Sequence, residues 1–409
     1  MPNKSIFYRE PIKVLLLENI HSCAKELFEN RGYVVREIPR SLSAEELAEE
    51  IVDINILGIR SKTKVTQEHL ERASELLAIG CFGVGTNQVP LEAASKGGVA
   101  VFNAPFSSTR SVAELAVGNM IALARRIADS SAKMHNGLWE KSASNCIEVR
   151  NKVIGIVGYG HIGQQVGLLA EAVGLHVIFF DQLKKLPLGR AKPVSSFSEL
   201  LQQSDFVSLH VPAKKDSRPL MDVEEFGRMK KGSYLINLGR GNLVNLQALK
   251  QTIASGHIAG AAIDVYPKEP SSNKEEFRCE LAGVENIILT PHIGGSTREA
   301  QRDIGLEVSS SLIDFVDTGN SLGAVNFPEA SLTPSQDTHR ILNVHSNVPG
   351  VLTHINEIVS SVGANVEAQY LVTRDKIGYL IMDLNKELSK SVSEMISKLP
   401  TSIKTRVLY

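Results

Sequence analysis

The sequence predicts an α/β protein that ends in a small α+β unit. Three observations carry this. Short apolar strands alternate with helix-like segments in two separate series, a pattern that builds parallel sheets. A glycine fingerprint, Gly158-Tyr159-Gly160-His161-Ile162-Gly163, sits between a strand and a helix of the second series. Residues 337–409 then follow a βαββαβ order, which is ferredoxin-like.

Composition agrees. The chain has 409 residues, a length that predicts two or three domains. Hydrophobic residues are 43%, aromatic residues 5%, and there are 31 glycines, which favours α/β layers over an all-β sandwich. Basic and acidic side chains nearly cancel to a formal charge of −1. Nucleic acids and acidic membranes select a basic excess, so neither is expected as a partner. The cysteines at 23, 81, 146 and 279 form no CxxC pair and no metal-ligand spacing. A reducing, cytoplasmic setting and no metal are expected. No apolar run reaches the ~18–20 residues of a membrane span, and the start of the chain lacks a signal-like apolar core.

In the first series the expected strands are Lys13–Glu18, Tyr33–Ile38, Ile54–Arg60, Leu76–Phe82 and Val99–Phe102. Ser43-Ala44-Glu45-Glu46 reads as a capping box opening a helix. From Ser111 to about Asn136 the pattern is one long helix stopped by Gly137, either a core helix or a dimerisation arm. In the second series the expected strands are Lys152–Val157, His176–Asp181, Asp205–Val211, Ser233–Leu238, Ile258–Val265 and Asn286–Thr290, enough for a doubly wound sheet. A helix over Ser296–Asp317 and a polar linker over Thr318–Gln336 precede the last unit.

The fingerprint has a physical logic. Gly158 permits a tight turn, Gly160 lets backbone approach a pyrophosphate, and Gly163 lets helix pack on strand. Asp181 ends the next strand, 18 residues past Gly163, where a carboxylate can accept from ribose hydroxyls and repel a 2′-phosphate. The expected cofactor is NAD. Arg240, Glu269 and His292 each follow a strand of the same sheet, at the ends where such sheets bind ligands. Imidazole can take a hydroxyl proton near neutral pH, a carboxylate can orient it, and guanidinium suits a substrate carboxylate. Asp264 could favour a positively charged nicotinamide.

These motifs, together with Ile79–Asn87, Phe102–Glu114, Ala261–Val265 and Thr290–Thr297, resemble the D-2-hydroxyacid dehydrogenase family along essentially the whole chain. The resemblance is strongest to its short branch with a C-terminal ACT domain, which oxidises 3-phosphoglycerate in serine biosynthesis. It implies a Rossmann domain over 106–294 inserted in a flavodoxin-like substrate domain, 1–105 and 295–330, with the ACT domain over 337–409. It makes Arg240, Glu269 and His292 the catalytic trio. It places cofactor contacts at His161, Ile162, Asp181, Leu238, Gly239, Arg240, Asp264, His292, Ile293, Gly294 and Gly295. Gly239 stands where the family usually has Ser or Ala. Arg60, Ser61, Ser108 and Arg240 would bind substrate; Lys62 replaces the Arg of some relatives, and Ser108 the Asn of many. His345, Asn347 and Asn365 would bind L-serine across an ACT dimer, giving feedback inhibition with Gly294-Gly295 and Gly319 as hinges. The resemblance further implies a homotetramer, a loop at Trp139 and Lys141 near a subunit contact, and possible 2-oxoglutarate reduction. Two other functions stay open: a dehydrogenase for another D-2-hydroxy acid, and a non-catalytic NAD-sensing regulator. RNA binding by the last unit is disfavoured, because residues 337–409 carry 8 basic and 7 acidic side chains and Ile377–Met382 lacks the RNA-binding aromatic pattern.

Overall fold

The computed structural model describes residues 5–7, 11–212, 218–270, 275–335 and 337–408; Gln336 and Tyr409, which end the expected linker and last strand, lie outside them. In chain order the strands are β1 (Ser5–Phe7), β2 (Lys13–Leu17), β3 (Val34–Ile38), β4 (Ile56–Ile59), β5 (Ala78–Cys81) and β6 (Ala100–Asn103). Then come β7 (Val153–Val157), β8 (His176–Phe180), β9 (Lys192–Pro193), β10 (Phe206–Leu209), β11 (Ser233–Asn237), β12 (Ile258–Ile263) and β13 (Ile287–Leu289). The last are β14 (Thr338–Ser346), β15 (Val366–Arg374), β16 (Ile377–Asn385) and β17 (Ser402–Leu408). The chain forms two units: residues 1–107 with 301–409, and residues 108–300.

The first unit holds a parallel sheet in the order β3-β2-β4-β5-β6. This is the flavodoxin order, whose direction switches between β2 and β4. The strands β4 and β5 are buried at every residue, as a sheet covered on both faces requires. One cover comes from the helix Arg298–Thr318, whose Val308 and Leu312 lie so close to Gly80 that a Cβ there would sit 2.7–2.8 Å from their methyls. The capping box forms as read: Ser43 and Glu46 each accept from the other's backbone N–H.

The ACT sheet belongs to the same unit, in the order β1-β17-β14-β16-β15. Its four C-terminal strands are antiparallel, as βαββαβ predicts. The added strand β1, parallel to β17, was not legible in the sequence. This unit is not free-standing. Leu342, Val344, Tyr379 and Ile381 on one face share an apolar cluster with Phe315, Phe327 and the first sheet, while Ile341, Leu380 and Met382 on the other face pack with the ACT helices. Strand alternation separates the two sets. Gly319 is locked rather than a loose hinge. Its carbonyl accepts from the Tyr379 hydroxyl at 2.7 Å, and a Cβ would meet Leu342 at 2.3 Å.

The second unit is a parallel sheet in the order β13-β12-β11-β10-β7-β8-β9. The seventh strand, β9, has two residues, one of them proline, and offers no periodic signal. The expected long helix is two: Thr109–Ala124 and Ile127–His135. Arg126 breaks it with a left-handed φ of 51°, and its guanidinium bonds both Asp129 and Glu285 at 2.8 Å. Asp129 in turn accepts from the Asn286 N–H. The polar ties outweigh the Ala- and Leu-rich helical pattern. Gly137 follows with φ 76°, as expected of a stop, and Trp139 beyond it is 80% exposed in the single chain.

Candidate active site

In the second unit the strand order reverses beside β7, between it and β10, where doubly wound sheets receive ligands. Gly158 leaves β7 with φ 89°, and a Cβ there would lie 2.6 Å from the His210 carbonyl oxygen. Gly163 packs on the Gly158 carbonyl, whereas a Cβ at Gly160 would meet nothing within 4 Å. Open space thus lies where a pyrophosphate must approach, at the start of the helix His161–Ala172, which has no side-chain cap. The residues present fit a dinucleotide.

Asp181 follows β8. Its carboxylate accepts from Tyr159 N–H and Leu183 N–H, both at 2.8 Å, and so fixes the glycine turn as well as the strand end. Each carboxylate oxygen keeps acceptor capacity for a ribose hydroxyl. Asp181→Ala should therefore raise the KM for NAD by about tenfold, the weight of a charge-assisted hydrogen bond, and narrow the preference over NADP. Initial rates with both cofactors check this; an unchanged NAD/NADP ratio would remove Asp181 from cofactor selection.

Asp264, after β12, is 1% exposed and fully engaged. It accepts from Thr290 Oγ1 at 2.6 Å, Ile293 N–H at 2.8 Å and Gly294 N–H at 2.8 Å. Within the chain its work is to pin the loop that carries His292, and this also holds Gly294 against free hinging. Tyr266 adds to the same frame, donating its hydroxyl to the carbonyls of Ile263 and Thr290.

The three residues expected to react, Arg240, Glu269 and His292, come together in this unit. Glu269 accepts from Tyr266 N–H at 3.1 Å and, through its other oxygen, from His292 Nδ1 at 2.8 Å. That bond engages Nδ1 and not the other ring nitrogen, Nε2. His292 itself has a left-handed φ of 55°, a strained backbone for a non-glycine residue at a functional loop. Its pKa is raised, first by the hydrogen bond to Glu269 and against the effect of burial. Burial alone would raise the Glu269 carboxyl, but the bond to His292 and the charges of His292 and Arg240 bring it below the usual range. Burial also lowers the Arg240 guanidinium, with Glu269 opposing. Arg240 is placed by Asn237, which donates to its carbonyl at 3.0 Å, and by its own donation to the Gly239 carbonyl at 2.8 Å. Gly241 next to it is obligatory: a Cβ would fall 1.9 Å from the Tyr266 carbonyl carbon. Leu238, at 7% exposure, lines the buried side of this turn.

In the first unit, Arg60 and Ser61 leave β4 at that sheet's own switch point. Burial lowers the Arg60 guanidinium, partly offset by the Glu18 carboxylate. Ser108, in the second unit, is 4% exposed and packs against Gly295. The expected effector residues are not gathered within one chain. His345 is buried beside Gly378 at one end of β16, bonded to Asn343 at 3.0 Å. Asn347 lies near that end and donates to the Asp375 carbonyl. Asn365 sits at the other end, its N–H bonded to Asn385. Burial lowers the His345 pKa.

Sequence reasoning missed Glu18, Gln88, Tyr266 and His210. His210 follows β10 with Nδ1 buried and without a partner among the described residues; burial brings its pKa down to about 4. Its position at a strand end beside Gly158 was the available signal. Among the described residues no cluster could hold a metal, and no helix is long and apolar enough to cross a membrane.

Comparison with known proteins agrees with this geometry. Residues 117–294 match the family described as D-isomer specific 2-hydroxyacid dehydrogenase, NAD binding domain, and residues 341–404 match the AHAS small subunit-like ACT domain. The chain is 53% identical over 403 residues to a D-3-phosphoglycerate dehydrogenase of Dictyostelium discoideum, covering 98% of each chain. It is 46% identical over 404 residues to that of Escherichia coli K12, again covering 98% of each. Among solved structures it resembles an NAD-dependent formate dehydrogenase from Staphylococcus aureus in complex with NAD, with 28% identity and a TM-score of 0.64 over 75% of this chain and 96% of that one. With an NAD-binding site and an intact Arg–Glu–His arrangement, the chain belongs to the D-isomer-specific 2-hydroxyacid dehydrogenase family, beside its D-3-phosphoglycerate dehydrogenase members.

Proposed function

We propose that the protein oxidises D-3-phosphoglycerate to 3-phosphohydroxypyruvate with NAD, the entry step of serine biosynthesis. The observation that carries this is the Glu269–His292 pair beside Arg240 on an NAD-binding sheet, in a chain 46–53% identical to enzymes of that name. Arg240 takes the substrate carboxylate bidentately. His292 Nε2 takes the C2 hydroxyl proton, and Glu269 holds the imidazolium that forms. NAD, held at the Gly158–Gly163 turn and by Asp181, would supply the acceptor for the hydride on C2. Asp264 keeps the His292 loop in place through its three hydrogen bonds. Arg60 and Ser61 take the phosphate, which carries about two negative charges at neutral pH. Ser108 adds a polar contact to the substrate.

The reading extends to regulation and assembly. Residues 337–409 form an ACT domain that binds L-serine and lowers the rate. The separation of His345 from Asn365 along β16 supports a site completed by a second chain, and a homotetramer built through ACT pairing and the Trp139 region follows. We assign 1–105 and 295–330 to substrate binding, 106–294 to NAD binding and 337–409 to regulation, in a cytoplasmic enzyme.

The decisive experiment is NADH absorbance from purified protein, NAD and 3-phosphoglycerate, with and without serine. No NADH defeats the activity; a rate flat to millimolar serine defeats the regulation. A pH profile adds a sharper check. Oxidation needs neutral His292, and its pKa is raised above 6.5, so kcat/KM should climb as pH rises through that elevated value. Glu269→Gln removes the carboxylate that raises it, so the midpoint should move to lower pH while the plateau falls. A midpoint that stays put would uncouple the two residues.

A further inference from the structure

We propose that Glu18 and Gln88 are positioning residues for the substrate's phosphate: they hold the Arg60–Lys62 loop from opposite sides in an anion-gripping form. The inference rests on assigning Arg60 and Ser61 to that phosphate.

The sheet order puts Glu18 and Arg60 at one place. β2 ends at Leu17 and β4 ends at Ile59, and these two strands flank the switch point. Glu18 therefore leaves one wall of the crevice and Arg60 the other. The Glu18 side chain crosses over. One oxygen accepts from Lys62 N–H at 3.0 Å and the other from Thr63 N–H at 2.8 Å. Glu18 is only 8% exposed, and Thr63 is fully buried, so the bidentate bond is shielded from water.

The backbone is bent to allow this. Glu18 and Asn19 both have left-handed φ values, 62° and 53°. Two consecutive non-glycine residues in that region carry strain, which persists only when the surroundings fix it. The Glu18 N–H is tied to the Ile38 and Arg40 carbonyls. From the other side, Gln88 Nε2 donates to the Arg60 carbonyl at 2.6 Å and to the Gly85 carbonyl at 3.2 Å. The Gln88 carbonyl accepts from Val65 N–H at 2.9 Å, closing the far end of the loop.

The consequence is chemical as well as mechanical. Glu18 takes up the Lys62 and Thr63 amides, so these two are not offered to an anion. Glu18 also sets one negative charge behind Arg60, acting on its guanidinium. That charge repels a phosphate more than a plain acid, so Glu18 serves the phosphate by placing the loop and not by its charge. A plain acid offers this loop no phosphate to grip, so the placement of Arg60 and Ser61 matters to phosphorylated acids.

The test compares Glu18→Gln, Gln88→Ala and Arg60→Ala. Glutamine offers one acceptor where two amides need one each, so it frees part of the loop without emptying the space. Three readings are taken: kcat and KM for 3-phosphoglycerate, kcat/KM for D-glycerate, and the inhibition constant of inorganic phosphate. Gln88→Ala should raise the 3-phosphoglycerate KM and the phosphate inhibition constant by about tenfold, and Glu18→Gln should raise both by about threefold, because it also removes a negative charge near Arg60. The kcat, the NAD KM and kcat/KM for D-glycerate should stay within about twofold. A purely structural role would instead lower the kcat or the active fraction for both substrates together, and that result overturns the proposal. If Arg60→Ala weakens phosphate and the frame variants do not, Glu18 and Gln88 are dismissed alone. If Arg60→Ala treats phosphorylated and plain acids alike, the phosphate assignment falls and takes the frame with it. Gln88 is half-exposed, so its variant reads out even where Glu18→Gln folds poorly.

Discussion

Replacing His292 with asparagine should lower kcat for 3-phosphoglycerate oxidation by about 10²–10⁴-fold, the range that positioned proton transfer contributes. Asparagine is the right replacement because of the backbone. His292 sits at φ 55°, and asparagine tolerates the left-handed region better than alanine does. The loop, pinned by Asp264 through Ile293 and Gly294, should stay in place. NAD binding should then be nearly unchanged, and the substrate KM should move little, because the contact proposed for Arg240 with the carboxylate is untouched. The loss belongs in kcat, where an interaction made only in the transition state appears. The residual rate should also lose the pH dependence that His292 imposes. Steady-state kinetics across pH, with NAD binding measured by fluorescence, checks all of this. A variant within about tenfold of the parent would take the proton transfer away from this imidazole.

That loop shows what the sequence carried and what it withheld. The positions of Arg240, Glu269 and His292 were legible because each follows an apolar strand, and strand ends are readable from periodicity. That both sheets are parallel followed from the alternation of strand and helix, but their strand orders did not. The NAD turn was legible because its glycines are forced: at Gly158 by positive φ, at Gly163 by contact with the Gly158 carbonyl. Asp264 was legible as a strand-end acid, but not as the anchor of the His292 loop. Its three donors come from residues 26 to 30 positions away, and spacing alone cannot show such a meeting. Glu18 was hidden for the same reason, with partners 44 and 45 positions distant. The break at Arg126 was hidden because local helix preference pointed the other way, while the guanidinium pairs both with nearby Asp129 and with distant Glu285. The ACT unit's second apolar face, with Leu342, Val344 and Tyr379, could be read only as core. Nothing in the pattern said that its partner was the helix Arg298–Thr318.

The join between the ACT sheet and that helix leads to the second large effect. Asp383→Ala should destabilise the first unit by about 3–5 kcal/mol, because it strands a buried guanidinium. Arg340 and Asp383 are 5% and 1% exposed and form a bidentate pair at 2.7 Å across β14 and β16. Arg340 reaches further. Its remaining N–H groups donate to the carbonyls of Thr318 at 2.9 Å, Leu332 at 2.7 Å and Thr333 at 3.1 Å. All five guanidinium donors are thus matched, which is the condition under which a buried ion pair is tolerable. The same pair fastens the end of the helix and the following linker to the ACT sheet. An apolar swap of both residues, Arg340→Met with Asp383→Leu, would be nearly neutral if the pair served only itself. Here it should remain destabilising by about 1 kcal/mol, since three part-buried hydrogen bonds from the guanidinium to these carbonyls are lost. For a unit of this size each kcal/mol moves Tm by about 2–4 °C, so Asp383→Ala should melt roughly 10 °C lower. It should also open residues 319–335 to limited proteolysis, while the apolar pair should open them without the full fall in Tm. A double variant as stable and as protease-resistant as the parent would show that the carbonyl contacts carry no weight, and that apolar packing around Phe315 and Tyr379 holds the ACT sheet in place by itself.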